Sequence, residues 1–344
     1  MTNPLPDANT RMKRLIVITG PTASGKSALA VSVAQMLHTE IVSADSRQVF
    51  RGIPIATAMP TPRERAAVPH HLIDFLPLDC YYSAARYEQD ALACLRSIFA
   101  TRDYAVVCGG SMMYVDALCN GIDVLPTVPD RLRRSLMEQH AAYGDDWLRM
   151  RLHALDPEHY AHVDLMNVKR VFHAVEVCEA AGVPYSSLLG KARRGHDYDV
   201  LKVQTVMPRE MLFGRINRRV EQMAEQGLVE EVRSVAHLRH LNSLNTVGVK
   251  EILRHLDGEW DLETALSRMA KNTRVYAKKQ MTWFKRDPDI VMLDMTQPDP
   301  TTRLAEMAVI VGTRRAVNCT PKVGRGKKLI LFKERPELHR ALTV

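Results

Sequence analysis

A chain of 344 residues with 46% hydrophobic and 25% charged residues can build a large core under an ordinary surface, which excludes disordered and fibrous classes. Its net charge of +8 is a property of one end, because nine Lys/Arg against two acids follow residue 313 while the remainder carries 38 against 37. No apolar run approaches the ~20 residues of a membrane span, and the six cysteines include no C-x-x-C pair, so free thiols are expected rather than zinc or disulfides.

The first 13 residues form a polar lead with Pro4 and Pro6 and no signal-peptide pattern, so a cytoplasmic protein is expected. An apolar run, Leu15 to Thr19, predicts a strand, and Ala28, Leu29, Val31, Val33, Ala34 and Leu37 carry helical spacing. Between them lie Gly20, Pro21, Thr22, Ala23, Ser24, Gly25, Lys26 and Ser27. Strand, glycine-bounded loop and helix in that order make a phosphate cradle. Loop amides and the helix N-terminus face an anion, Lys26 adds charge, and the Ser27 hydroxyl is placed to ligate Mg²⁺.

The short apolar part of the stretch from Glu40 to Phe50 reads as a second strand, ending in a polar loop with Asp45 and Gln48. In an open parallel sheet such a loop lies beyond the carboxyl ends of the strands, near the cradle. The alternative is an Asp that merely caps the next turn. Residues 51–79, rich in proline, read as a long loop. A helix from about Ser83 to Thr101 follows, then a buried strand, Tyr104 to Cys108, opening into Gly109-Gly110-Ser111 and a helix from Met112 to about Leu118.

From about 121 to 200 the pattern is helical (about 130–142, 145–155 and 167–181) with no convincing strand, which suggests an insertion. Its basic residues, among them Arg131, Arg133, Arg134, Lys169 and Arg170, read as a solvated face before a functional one, as charge runs on helices usually are. A return strand is expected at 201–206, then helices at roughly 209–239 (broken at Gly227), 249–256 and 261–286. The last has no acidic residue from Thr264 to Arg286, and Arg268, Lys271, Arg274 and Lys278 recur every three or four positions. One face of a single sign is a footprint for phosphates. The fold class is therefore α/β: a P-loop-type parallel sheet flanked by helices, with a core at 14–120 and 201–312 and a helical insertion at 121–200. Residues 313–344 form a basic extension that either attracts RNA or only solubilises.

Several of these stretches occur in a known order: Gly20 to Ser27, Asp45-Ser46-x-Gln48, Pro69-His70-x-Leu72-x-Asp74, Tyr82-Ser83-x-Ala85, Gly109-Gly110-Ser111, Asn167-x-Lys169-Arg170, and Thr273-Arg274-x-x-Ala277-Lys278-x-Gln280-x-Thr282-Trp283. Together they resemble the bacterial tRNA dimethylallyltransferase (tRNA isopentenyltransferase) family from about Leu15 to Asp287. The resemblance implies transfer of the dimethylallyl group of dimethylallyl diphosphate to N6 of adenosine 37 in the tRNA anticodon loop, by a monomer with Mg²⁺ and no membrane association. In that family the cradle holds the donor's diphosphate. Lys26, Ser111 and Arg274 would stabilise the leaving group, with Asp45 as general base. Asp45, Ser46, Arg47, Gln48, Ser111, Arg133, Lys169, Arg170, Val171, Phe172, His173, Asn245, Thr246, Val247, Gly248, Val249 and Lys250 align with tRNA-contacting positions, and Lys271 and Lys278 would add the basic face.

The chain departs from the family pattern at Met59, Met112, His173 and Val249, where a Lys, a Gly, an Arg and an aromatic are usual. Two further readings stay open on sequence: a tRNA-binding paralogue without catalysis, and a P-loop kinase or NTPase. The second needs an apolar strand ending in a metal-binding Asp, and none is evident.

Overall fold

The computed structural model describes residues 13–123, 125–190 and 195–313. Apart from their boundary residues, the expected polar lead and basic extension lie outside these. The chain divides into two compact units, one from the described parts of Met1–Cys119 and His196–Val344, the other Asn120–Gly195.

In the first unit β1 (Arg14–Thr19) leads through the cradle into α1 (Lys26–Met36), then β2 (Ile41–Ser43), α2 (Pro62–Ala67), β3 (His70–His71), α3 (Ala84–Thr101), β4 (Tyr104–Cys108) and α4 (Met112–Asn120). The second unit holds α5 (Asp130–Leu155), α6 (Pro157–His162) and α7 (Val168–Ala181). The chain then returns with β5 (Asp199–Val206), α8 (Arg209–Glu225), α9 (Leu228–Val235), α10 (Val249–Leu256), α11 (Leu262–Phe284), β6 (Val291–Asp294) and α12 (Pro300–Thr313).

The strands form one sheet in the order β3-β2-β4-β1-β5-β6, with every neighbouring pair parallel. Leu15, Ile16, Val17 and Ile18 are fully buried, as a strand covered on both faces requires. Ile16 and Ile18 pack with Leu29 and Val33 of α1 and Leu304 of α12. Leu15 and Val17, pointing the other way, pack with Tyr87, Leu95 and Ile98 of α3. Helices on both faces thus follow from a strand with no polar side.

Parallel pairing brings the loops after β1, β2 and β4 to one edge. Ala44 N–H donates to Cys108 O (2.8 Å) and Gly109 N–H to Ile18 O (3.2 Å), which continues the ladder into those loops.

The expected loop at 51–79 holds two elements. Thr61 opens α2 with a reciprocal capping box to Glu64, and the two-residue β3 extends the sheet beside β2. A strand of two residues leaves no periodicity to read. Gly227, at φ 95°, separates α8 from α9, and β6 with α12 closes the far edge of the sheet.

In the second unit α5 is interrupted at Gly144 (φ 76°, ψ −174°). Its two halves and α7 enclose Leu136, Leu148, Leu152, Val171, Ala174 and Val175. Asp156 is buried there, accepting from His159 N–H and from the Ser186 N–H and hydroxyl. Among the described residues no helix is long and apolar enough to cross a membrane.

Close approach at the sheet edge makes a direct prediction. A Cβ on Gly109 would lie 2.1 Å from Ala44 O, so Gly109→Ala must push β2 and β4 apart. It is expected to cost about 2 kcal/mol or more, seen as a lower denaturation midpoint; an unchanged midpoint would disprove the contact.

Candidate active site

The cradle is shaped by its neighbours as much as by its glycines. Gly20 sits at φ +142°, where a Cβ would meet Thr205 Oγ1 at 2.1 Å. Ser24 is buried, its hydroxyl 2.6 Å from that of Thr205 and its N–H bonded to Pro21 O. The Thr22 N–H donates to Gln280 Oε1 (3.0 Å), while Gln280 Nε2 donates to Gly110 O (2.9 Å). This buried amide ties the cradle to the loop after β4. Thr22 and Ser24 therefore use their amides internally. Those of Gly25, Lys26 and Ser27 precede the first intrahelical bond, Leu29 N–H to Gly25 O, and are left for an anion.

Lys26, Ser27, Asp45, Gln48, Cys108 and Arg219 border one cavity of about 50 Å³. Asp45 Oδ1 accepts from Arg47 N–H (2.9 Å) and Gln48 N–H (3.4 Å). No described residue donates to Oδ2, so Asp45 both caps its own turn and offers an oxygen to the cavity. Burial lowers the Lys26 ammonium below the ordinary lysine value; Cys108 and Asp45 oppose that, and Arg219 adds to it. Burial likewise lowers the Arg219 guanidinium, against Asp45 and Glu64. Two cations held partly out of water beside one carboxylate form a receptor for a multiply charged anion. The Cys108 thiol is pushed up to about 11 by burial and stays protonated.

Arg219 also borders two larger spaces. One, about 620 Å³, is lined by Gly25, Ser27, Met59, Glu64 and Gln222. The other, about 420 Å³, is lined by Asp45, Arg47, Ser111, Thr246, Lys250 and Tyr276. Cradle and carboxylate thus face spaces that meet at Arg219.

The sequence model of one family, described as IPP transferase, matches residues 48–287. The chain belongs to that family. It is 49% identical over 279 residues (81% of this chain, 91% of the relative) to tRNA dimethylallyltransferase 1 of Bacteroides thetaiotaomicron, and 47% identical to that of Phocaeicola vulgatus (85% and 96%). Among solved structures it resembles the tRNA isopentenylpyrophosphate transferase of Bacillus halodurans, with TM-score 0.64, 32% identity and coverage of 88% and 96%. A eukaryotic dimethylallyltransferase acting on tRNA matches at TM-score 0.76 with 25% identity, covering 90% and 81%.

For this family member, geometry sorts the expected residues. Ser111 donates its N–H to Ala44 O (3.0 Å) and borders the 420 Å³ space. Arg274 lines none of the three spaces described: Nη1 donates to Asn217 Oδ1 (2.6 Å), and its guanidinium lies 5.9 Å from the Phe213 ring. Arg219, not singled out from the sequence, is the arginine beside Lys26. It lies on α8, whose apolar stripe was legible. Nothing in a run of four arginines (209, 215, 218 and 219) says which one faces inward.

Arg47 donates to the carbonyls of Asn242, Ser243 and Asn245, joining its turn to the 245–250 segment. Ser46, Asn245, Thr246, Val247 and Lys250 line the 420 Å³ space with it. Gly248 and Val249 are buried, and Gly248 N–H is bonded to Glu251 (2.7 Å), so neither offers RNA a side-chain contact. On α11, Lys271 and Lys278 are exposed, Lys278 standing 5.8 Å from the Phe213 ring.

In the helical unit Lys169 and Arg170 are exposed near the start of α7, Phe172 is half-buried, and Val171 is in the core. Arg133 and His173 both turn to the buried carboxylate of Glu176, at 2.8 and 2.9 Å. Val171 is therefore packing and offers no side chain to RNA, whereas Arg133, its side chain still 43% exposed, neutralises a buried charge. His173, where the family usually has Arg, pairs with Glu176 through Nδ1.

Burial alone would raise the Glu176 carboxyl; hydrogen bonds from His173 and Arg133, and their charges, outweigh it and hold it below the ordinary value. A carboxyl depressed in the fold stabilises above its unfolded value, and the benefit is lost as pH falls through the folded value. Melting curves between about pH 5 and 3 should therefore drop more steeply for the native chain than for Glu176→Gln. Equal slopes would contradict the pairing. For the cradle, Arg219→Ala should weaken calorimetric binding of inorganic diphosphate about tenfold or more, while Arg274→Ala changes it less than about twofold. The reverse ranking would restore Arg274.

Proposed function

We propose that this protein, working as a cytoplasmic monomer, transfers the dimethylallyl group of dimethylallyl diphosphate to N6 of adenosine 37 in the anticodon loop of tRNA. The observation that carries this reading is one small cavity bordered by the cradle, two desolvated cations and a carboxylate with an unused oxygen. Breaking the allylic C–O bond leaves its electron pair on the diphosphate, so charge grows where Lys26, Arg219 and the Gly25–Ser27 amides converge. The N6 lone pair is delocalised into the purine and attacks poorly. Asp45 Oδ2 takes the N6 proton as the new C–N bond forms.

Among the described residues no cluster of three or more His, Cys, Asp or Glu gathers to hold a metal by itself. A single hydroxyl with phosphate oxygens and water suits Mg²⁺, so Ser27 would hold it together with the diphosphate. When bound, Mg²⁺ would offset charge on the leaving group.

The 420 Å³ space, edged by Arg47, Ser111, Thr246 and Lys250, suits a purine drawn from the anticodon loop, where extrusion costs little. The exposed lysines of α11 suit the phosphates around it. A kinase or NTPase would place a metal-binding Asp at the end of a strand beside β1; its neighbours β4 and β5 end instead in Cys108 and Val206.

Incubation with dimethylallyl diphosphate, Mg²⁺ and bulk tRNA should yield a prenylated adenosine by mass. ATP or GTP hydrolysis without that product would refute the reading. Asp45→Asn should lower kcat by about 10²- to 10⁴-fold and leave tRNA affinity within a few-fold; unchanged turnover would remove Asp45 from the mechanism.

A further inference from the structure

The wall shared by the three cavities is one short loop, residues 53–60. Thr57 and Pro60 border the small cavity; Pro54, Ile55, Ala58, Met59 and Pro60 border the cradle-side space. Ala56, Thr57 and Ala58 border the space beyond Asp45. Inside the loop the amides of Thr57, Ala58 and Met59 bond to the carbonyls of Ile53, Ile55 and Pro54. The amides of Ile55 and Ala56 turn outward, and both meet the carboxylate of Glu231, at 2.8 and 2.7 Å. The carbonyls are held from the opposite side. Gln48 Nε2 donates to Thr57 O and Ala58 O (3.1 Å each), and Arg219 Nη2 reaches Ala58 O (3.4 Å).

Glu231 borders none of these cavities. It lies on α9 beside Leu228, Val232 and Val235, which are buried against Ile53 and Ala56. A half-buried carboxylate among apolar neighbours is costly unless it is hydrogen-bonded, and here each oxygen accepts one loop amide. Ala58 has φ +49°, a conformation that an L-residue holds only when its surroundings impose it.

We infer that Glu231 is a positioning residue for group transfer, fixing the loop wall that keeps the allylic carbon facing the adenosine amine rather than water. This rests on the transfer reading above. When the wall is loosened, the allylic C–O bond still breaks with its electron pair leaving on diphosphate. The new C–O bond then comes from water, which loses a proton to solvent and yields dimethylallyl alcohol.

Glu231→Gln keeps the shape but presents an NH₂ to one of the two loop amides, so one bond is lost. Diphosphate release and prenyl-adenosine formation are measured in the same reaction, beside a thermal melt. The native enzyme should give one diphosphate per transfer. The folded variant should transfer roughly tenfold more slowly, in keeping with a sub-ångström displacement, with KM for tRNA within about twofold and diphosphate in excess of product. Glu231→Asp, which keeps the charge one methylene short, should fall between the two, and it serves as the test if the Gln variant does not fold. A folded variant with native kcat and one-to-one stoichiometry overturns the inference. A native enzyme that makes no prenyl-adenosine overturns the transfer reading instead.

Discussion

Every part of the site depends on β1 lying between β4 and β5 as a parallel strand. In parallel pairing the carboxyl ends of neighbouring strands leave the sheet at the same edge. Three segments far apart in sequence, the cradle, the Asp45 turn and the Gly109–Ser111 junction, therefore emerge side by side. The glycines follow from this packing: at Gly20 the obstacle to a Cβ is Thr205 from β5, at Gly109 it is Ala44 after β2, and at Gly110 it is Gln280 from α11. The cradle is as much a product of the strands around it as of its own motif.

Electrostatics set the second constraint. Lys26 and Arg219 are held partly out of water with one carboxylate close by, and each is depressed by burial. Such an arrangement is unfavourable in the absence of an anion and favours one that brings several negative oxygens. The protein offsets the cost by tying the same region together with neutral or paired groups. Gln280 joins the cradle to Gly110, Arg47 joins its turn to the 242–245 carbonyls, and Glu231 holds the loop amides. In the helical unit Glu176 does the same for Arg133 and His173.

The departures from the family pattern acquire physical meaning in this setting. Met59 is nearly buried in the wall of the cradle-side space, where an apolar side chain fills volume that a lysine would charge. Val249 opens α10 inside the core. His173 retains a nitrogen within reach of Glu176. Met112, the fourth, opens α4 and borders the 420 Å³ space. The other three are absorbed by local packing or pairing, and Lys26 and Asp45 are untouched.

The α/β class, the cradle, the Asp45 turn and the basic helix were all legible in the residue order, because each rests on local physics: periodicity, glycine at strained turns, helix capping, and charge repeated at helical spacing. The short strands β3 and β6 were not, since a few residues carry no period. Nor could residue order tell which of several arginines faces the cradle, that Arg274 turns to Asn217 and Phe213, or that Val171 and Val249 point inward. Those outcomes belong to tertiary structure. A side chain's partner is set by where a distant strand or helix ends up, and burial, which lowers the proton affinity of Lys26 and Arg219, exists only once the fold has formed around them.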